Sequence, residues 1–174
     1  MNTKLNRKTY PYDEAYTIAT KVIEQLKPYC ERIEIAGSIR RKKSQIGDIE
    51  IVAIPKEYGP NDGIAAIVNQ WPKVKGEMIF GKTKYTQRVL PEGIKLDLFF
   101  ATKENWGSIL AIRTGSADFS HRVLACGWVK QGYKSESGFL FKNGQKFEVH
   151  EEKDLFQIIG IPYVEPEDRD YKNY

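Results

Sequence analysis

In "GDIEIVAI", Asp48 and Glu50 alternate with Ile49 and Ile51 and lead into Val52, Ala53 and Ile54, a β-branched run suited to a packed strand. Side chains two apart on a strand share a face, so the two carboxylates stand together while Ile49 and Ile51 point the other way. Like charges side by side repel unless something compensates them. A third acid, Asp97, sits between Leu96 and Leu98 in "IKLDLFF" and can face outward while its neighbours pack. Oxygen-liganding divalent cations such as Mg2+ turn this kind of repulsion into coordination. Metal-dependent phosphoryl transfer uses such a set, a close pair of acids and a third from a neighbouring strand.

Upstream of the pair, Gly37-Ser38 ends one strand signal and opens a helical turn. Backbone N–H groups and a hydroxyl exposed there can cradle phosphates, and Arg40 and Arg41 add cationic donors. Gly37 permits close backbone approach, and Ser38 can cap the turn. Each piece alone also fits a plain reading: a solvated sheet face, an ordinary turn, a surface acid paired with Lys95. Their order carries the inference: apolar-Gly-Ser, nine residues, Asp-apolar-Glu-apolar, then an isolated strand aspartate.

The elements that must position these residues follow from periodicity. Ala15, Ile18, Ala19, Val22, Ile23 and Leu26 form one face of a helix over 12–28, with Asp13 and Glu14 in its first turn. Strand signals occupy 32–37, 48–54, 73–80, 82–90 and 94–100, and a second helix capped by Asn61 or Asp62 spans 60–71. Helices are expected at 104–114, 117–132 and 152–160, with a hairpin turning at Asn143-Gly144 between the last two. The pattern predicts an α+β fold: a mixed β-sheet with two helices, then a smaller lobe of helices and a hairpin.

The chain has 174 residues, 41% hydrophobic and 29% charged, which describes a globular protein and not a disordered one. It has no apolar run long enough to span a bilayer and no N-terminal apolar core of a secretory signal, so the expected location is the cytosol, bacterial or that of a host. Cys30 and Cys126 lack metal-site spacing and read as reduced thiols. Residues 151–174 hold three Lys/Arg against seven Asp/Glu, so the net charge of +4 leaves +8 on residues 1–150. The basic run Arg40-Arg41-Lys42-Lys43 and the scattered Lys73, Lys75, Lys82, Lys84 and Arg88 fit a polyanionic partner.

Ala36-Gly37-Ser38 followed by Asp48-Ile49-Glu50-Ile51 resembles the nucleotidyltransferase superfamily pattern. More narrowly, the chain resembles the family X DNA polymerases related to polymerase beta. "GSIRR" is similar to that family's GSFRR, "GDIE" to its GDxD, and "KLDLFF" to the strand bearing its third aspartate. "RTGSADFSHRVLACGW" resembles the TGS segment that opens its thumb, and "EVHEEKDLFQIIGIPYVEPEDRDY" its terminal segment. The resemblance covers residues 30–170.

It implies a nucleotidyltransferase palm over 1–103 and a thumb over 104–174. Asp48 and Glu50 would ligate two Mg2+ ions, with Mn2+ as a substitute. Asp97 would ligate the catalytic ion and help remove the proton from a primer 3′-hydroxyl. Gly37, Ser38 and Arg41 would hold the β- and γ-phosphates, and Thr114, Gly115, Ser116 and Ser120 would border the sugar and base of a dNTP. Lys82, Lys84, Lys95, His121 and Arg122 would contact DNA. The implied activity is a minimal, monomeric DNA-directed DNA polymerase suited to short gap filling or end extension in repair. Alternatives are nucleotidyl transfer to a small-molecule or protein acceptor, and a non-catalytic nucleic-acid-binding protein.

Some positions depart from the family. Glu50 replaces an aspartate, which implies a shifted preference between Mg2+ and Mn2+. Ile112-Arg113 replaces an aromatic pair, which implies weaker ribonucleotide discrimination. Ser120 stands for an asparagine and Leu124 for a template-contacting arginine. With no lyase domain, helix-hairpin-helix clamp or exonuclease in the sequence, low processivity and marked salt sensitivity are expected.

Overall fold

The computed structural model of the chain describes residues 7–76 and 83–171. Along them run β1 (Tyr10–Pro11), α1 (Tyr12–Leu26), β2 (Cys30–Ile35), α2 (Gly37–Arg40), β3 (Gln45–Ile46), β4 (Ile49–Pro55), α3 (Gly63–Val68) and β5 (Lys73–Gly76). There follow β6 (Tyr85–Val89), β7 (Lys95–Phe100), α4 (Trp106–Thr114), α5 (Cys126–Lys130), β8 (Lys134–Glu136), β9 (Phe139–Lys142), β10 (Gln145–Phe147) and α6 (Glu152–Ile159). The architecture is α+β. Residues 77–80 and 82, expected in strands, lie outside the described residues.

Five strands form one sheet in the order β2-β4-β7-β6-β5; β4 and β7 are parallel and the other neighbours antiparallel. Strand alternation gives it two faces. Ile49, Ile51, Ala53, Leu96 and Leu98 pack against the apolar stripe of α1 and against Ile64, Ala65 and Val68 of α3. The other face carries Val52, Ile54, Phe99 and Ala101, covered by Trp106 and Leu110 of α4. A further cluster built on Phe119, Leu124, Trp128, Leu140, Leu155 and Phe156 holds the C-terminal part.

The departures from the expected elements have local causes. In place of one regular helix over 117–132, Phe119–Ala125 is a π-helix that leads into α5. Its i→i+5 bonding brings residues five apart towards one side, and Phe119 and Leu124 are both fully buried. Strand β8 has no apolar alternation and is exposed throughout, so nothing in its pattern announces it. The hairpin turn does behave as its sequence dictates: Asn143 and Gly144 have φ of 52° and 75°, as a primed turn requires. Among the described residues no helix is long and apolar enough to cross a membrane.

The basic run meets the acidic C-terminal segment. Arg40 grips Glu152 with two hydrogen bonds of 3.0 and 2.6 Å. Arg169, fully buried, donates to the same carboxylate and, through Nε, to the Val164 carbonyl at 2.9 Å. Arg41 stands 3.4 Å from Asp170, Lys43 also pairs with Asp170, and Lys42 reaches Glu167 at 2.7 Å. Arg32 holds Glu151 through bonds of 2.7 and 2.9 Å. Part of the charge asymmetry read from the sequence is therefore internal complementarity.

Removing the central carboxylate while leaving the Arg169 guanidinium buried and that of Arg40 half-buried is the costly change, on the order of 3 kcal/mol. Urea denaturation is expected to show that loss for Glu152→Ala and no change of midpoint for Lys42→Ala, whose pair is exposed.

Candidate active site

The parallel register of β4 and β7 sets Glu50 directly beside Asp97. Asp48, two residues before Glu50, shares its face by alternation. The antiparallel neighbour β6 places Gln87 opposite Asp97 and Tyr85 opposite Phe99. Tyr85 Oη donates to Asp97 Oδ1 at 2.6 Å, and Gln87 Nε2 donates to the same oxygen at 2.8 Å. The Ala36 N–H donates to the Glu50 carbonyl at 2.8 Å, which draws the Gly37-Ser38 turn alongside the acids. Gly37 has φ +60°, and a Cβ there would run into the Glu50 carboxylate, so both backbone and space require glycine.

The carboxylates feel one another. Burial pushes Glu50 up to about 7; Asp97 and Asp48 push the same way, while Arg41 and Arg113 oppose them. Asp97 is also raised, by burial and by Asp48, against the bonds from Tyr85 and Gln87 that favour its charged form. Burial and the bond to Asp97 raise the Tyr85 hydroxyl, which keeps it a donor. Asp48 is held by the guanidinium of Arg7, which the hydrogen bond to Asp48 makes more basic, with Asp97 and Glu50 adding to its field.

Among the described residues, no three of the His, Cys, Asp and Glu side chains are gathered closely enough to hold a metal ion as they lie. Each acid is drawn to its own neighbour: Asp48 to Arg7, Glu50 onto Gly37, Asp97 to Tyr85 and Gln87. Gathering all three on one ion requires Asp48 to exchange Arg7 for that ion. The acids line none of three open surface depressions elsewhere in the molecule, one of which lies between α1 and β2 around Tyr12 and Tyr16.

The remaining sequence-designated residues have different surroundings. Ser38 lies in the first turn of α2. Arg41 donates to the Thr114 carbonyl at 2.8 Å, and the Thr114 hydroxyl accepts from Arg40 at 2.8 Å. Gly115 follows at the end of α4. Ser116 Oγ accepts the Phe119 N–H at 3.1 Å and its own N–H donates to the Arg169 carbonyl at 3.1 Å. Ser120 donates to the Ile112 carbonyl at 2.7 Å. In this arrangement the Thr-Gly-Ser segment is wired into the junction between the sheet and the C-terminal part. Lys84, Lys95, His121 and Arg122 are exposed, Lys95 on the face of Asp97 and Arg122 over the Tyr171 ring at 4.9 Å. Lys82 lies outside the described residues. Leu124 is fully buried and presents nothing to a nucleic acid.

Three neighbours of the acids escaped the sequence reading as parts of the site, Arg7, Tyr85 and Gln87, while Arg113, read there only beside the sugar, also lies near the acids. Tyr85 and Gln87 occupy alternate positions of one strand, a signal that could have paired them with Asp97. Arg7 carries no such signal. Arg113 sits over the Phe99 ring at 4.1 Å, and Phe99 stacks on Tyr85 at 4.9 Å.

Because the folded Glu50 holds its proton to about pH 7, its contribution to stability is complete below the ordinary carboxylate range and is lost as pH rises to about 7. In chelator, Glu50→Gln is expected to leave the melting temperature unchanged at pH 4 and to raise it at pH 8, by a stabilisation on the order of 2 kcal/mol. Thermal melts at the two pH values check the sign.

No curated protein matches the chain. Residues 109–170, from within α4 to the last Arg–Glu contacts, match the family model of the DNA polymerase beta thumb. That match identifies a polymerase beta-type thumb over this segment, and it supports a family X polymerase-like protein.

Proposed function

We propose that the protein is a DNA polymerase that adds a nucleoside monophosphate from a dNTP to a primer 3′-hydroxyl, in filling short gaps or extending ends during repair. The observation that carries this reading is the register pair Glu50–Asp97, with Asp48 on the same face, beside the Gly37-Ser38 turn and next to the thumb. Three carboxylates whose charges oppose one another on a partly buried sheet face are the donor set that hard divalent cations take. Mg2+ is the expected ion and Mn2+ a substitute.

In this reading Asp48 and Glu50 hold the ions, and Asp97 completes the set and accepts the proton of the primer hydroxyl. Divalent cations there would neutralise charge on the attacking and leaving oxygens of an in-line displacement. The Gly37 and Ser38 N–H groups, at the start of α2, have no intrahelical acceptor and are available to phosphate oxygens. Arg41 and Arg7 supply positive charge on either side, and binding a triphosphate releases them from Asp170 and Asp48. Exposed Lys84, Lys95, His121 and Arg122 are the cationic contacts for the DNA backbone.

Primer extension on a gapped duplex with labelled dNTP tests the activity. Mg2+-dependent addition by the wild type is expected, with a loss of about a thousandfold or more in Asp97→Asn; binding of DNA without extension would refute the reading. Because Arg7 is exposed, its pair with Asp48 is worth little, under about 1 kcal/mol. Arg7→Ala is therefore expected to lower the Mg2+ concentration for half-maximal extension by no more than about fivefold, measured by metal titration of the same assay.

A further inference from the structure

Asp97 is the acid whose surroundings are built most completely. Both donors that face it, Tyr85 Oη at 2.6 Å and Gln87 Nε2 at 2.8 Å, use the same oxygen, Oδ1. Among the described residues Oδ2 accepts no hydrogen bond. A carboxylate held in this way cannot rotate about its Cβ–Cγ bond without losing two hydrogen bonds, so one oxygen is reserved for the protein and the other is left for a ligand. The donors are themselves fixed. Gln87 is buried and stands opposite Asp97 in the β6–β7 ladder. The Tyr85 ring stacks on Phe99 at an interplanar angle of 23°, and the Arg113 guanidinium of α4 lies over the Phe99 ring at 4.1 Å.

We infer that Tyr85 and Gln87 are positioning residues for Asp97, presenting Oδ2 as its single metal-ligating oxygen, and that the Phe99–Arg113 stack ties this orientation to helix α4. The inference rests on the metal-dependent reading of the acids given above. The physical reason is general: groups that hydrogen-bond a ligating carboxylate set its direction, and losing them weakens metal binding by about tenfold to a hundredfold. Tyr85 and Gln87 touch neither ion nor substrate in this arrangement and act through Asp97 alone.

The test is Mn2+ binding to the nucleotide-free protein, followed by the electron paramagnetic resonance signal of free Mn2+. Wild type, Tyr85→Phe and Gln87→Leu are compared, with circular dichroism to establish folding. Tyr85→Phe keeps the ring and its stack and removes only the hydroxyl, so a purely structural role for Tyr85 would leave the affinity where it was. Weakening by about tenfold in each variant, with unchanged dichroism, is the expected result. If Tyr85→Phe proves unstable, Gln87→Leu carries the comparison. Wild-type affinity in the folded variants overturns the inference while leaving the proposed activity standing. A wild-type protein that binds no Mn2+ overturns both. In primer extension the same variants are expected to lose kcat with little change in KM for the nucleotide.

Discussion

One buried carboxylate sets the geometry of the molecule. Glu152 lies between Arg40, on the helix that begins with Gly37-Ser38, and Arg169, whose carbonyl takes the Ser116 N–H. Burying such a triad contributes little net stability compared with an apolar trio of the same shape. Its consequence is alignment: the Gly-Ser turn of the sheet unit and the Thr114-Gly115-Ser116 segment of the thumb are both referred to the same group. Arg41 repeats the connection one residue later, through the Thr114 carbonyl and Asp170. The four consecutive cations 40–43 are thus turned towards the protein's own acidic segment.

Further exposed positive charge lies on the β5–β6 side of the acids. Lys73 and Lys75 on edge strand β5 are exposed, as are Lys84 and Lys95. Lys75, paired with Gln87, is close enough to Asp97 to favour its charged form. The acids therefore lie between two cationic groups, one locked in the junction and one free to face solvent. A polyanion approaching along the β5–β6 side meets lysines that form no ion pair among the described residues, and its phosphates reach the junction arginines only by competing with Asp170 and Glu152. This arrangement places exposed, salt-sensitive charges and half-buried or buried, orienting contacts on different sides of the three acids.

The sequence disclosed those parts of this arrangement that repeat with a simple period or depend on one backbone constraint. The α1 stripe, the alternation around Ile49–Ile54 and the Asn143-Gly144 turn are local, and they formed as expected. The Gly37 requirement was legible as a close approach, although its partner, the Glu50 carboxylate, was not. Pairings between distant segments were beyond reach: nothing in "RRKK" says that Glu152, Glu167 and Asp170 will answer it, since charge carries no address. The π-helix at Phe119–Ala125 was hidden because Phe119 and Leu124 fit a regular helix poorly only after the core they must fill is known. Gln87 and Arg88 illustrate the same limit. Adjacent on one strand, one supports an acid on the open face, and the other is buried on the opposite face with the Thr86 hydroxyl and the Trp71 carbonyl.

Helix α4 joins these features. Consecutive residues on a helix project about 100° apart, so Arg113 and Thr114 look in different directions from a single rigid element. Arg113 lies over the Phe99 ring, on which the Asp97-bound Tyr85 stacks, and Thr114 receives both Arg40 and Arg41 from the turn beside Glu50. Trp106 and Leu110, further back along the helix, pack on Val52 and Phe99 of the same two strands. A displacement of α4 would therefore disturb the contacts beside Glu50 and beside Asp97 together. The helix that leads into the thumb-matching segment is thus in contact with the surroundings of both acids.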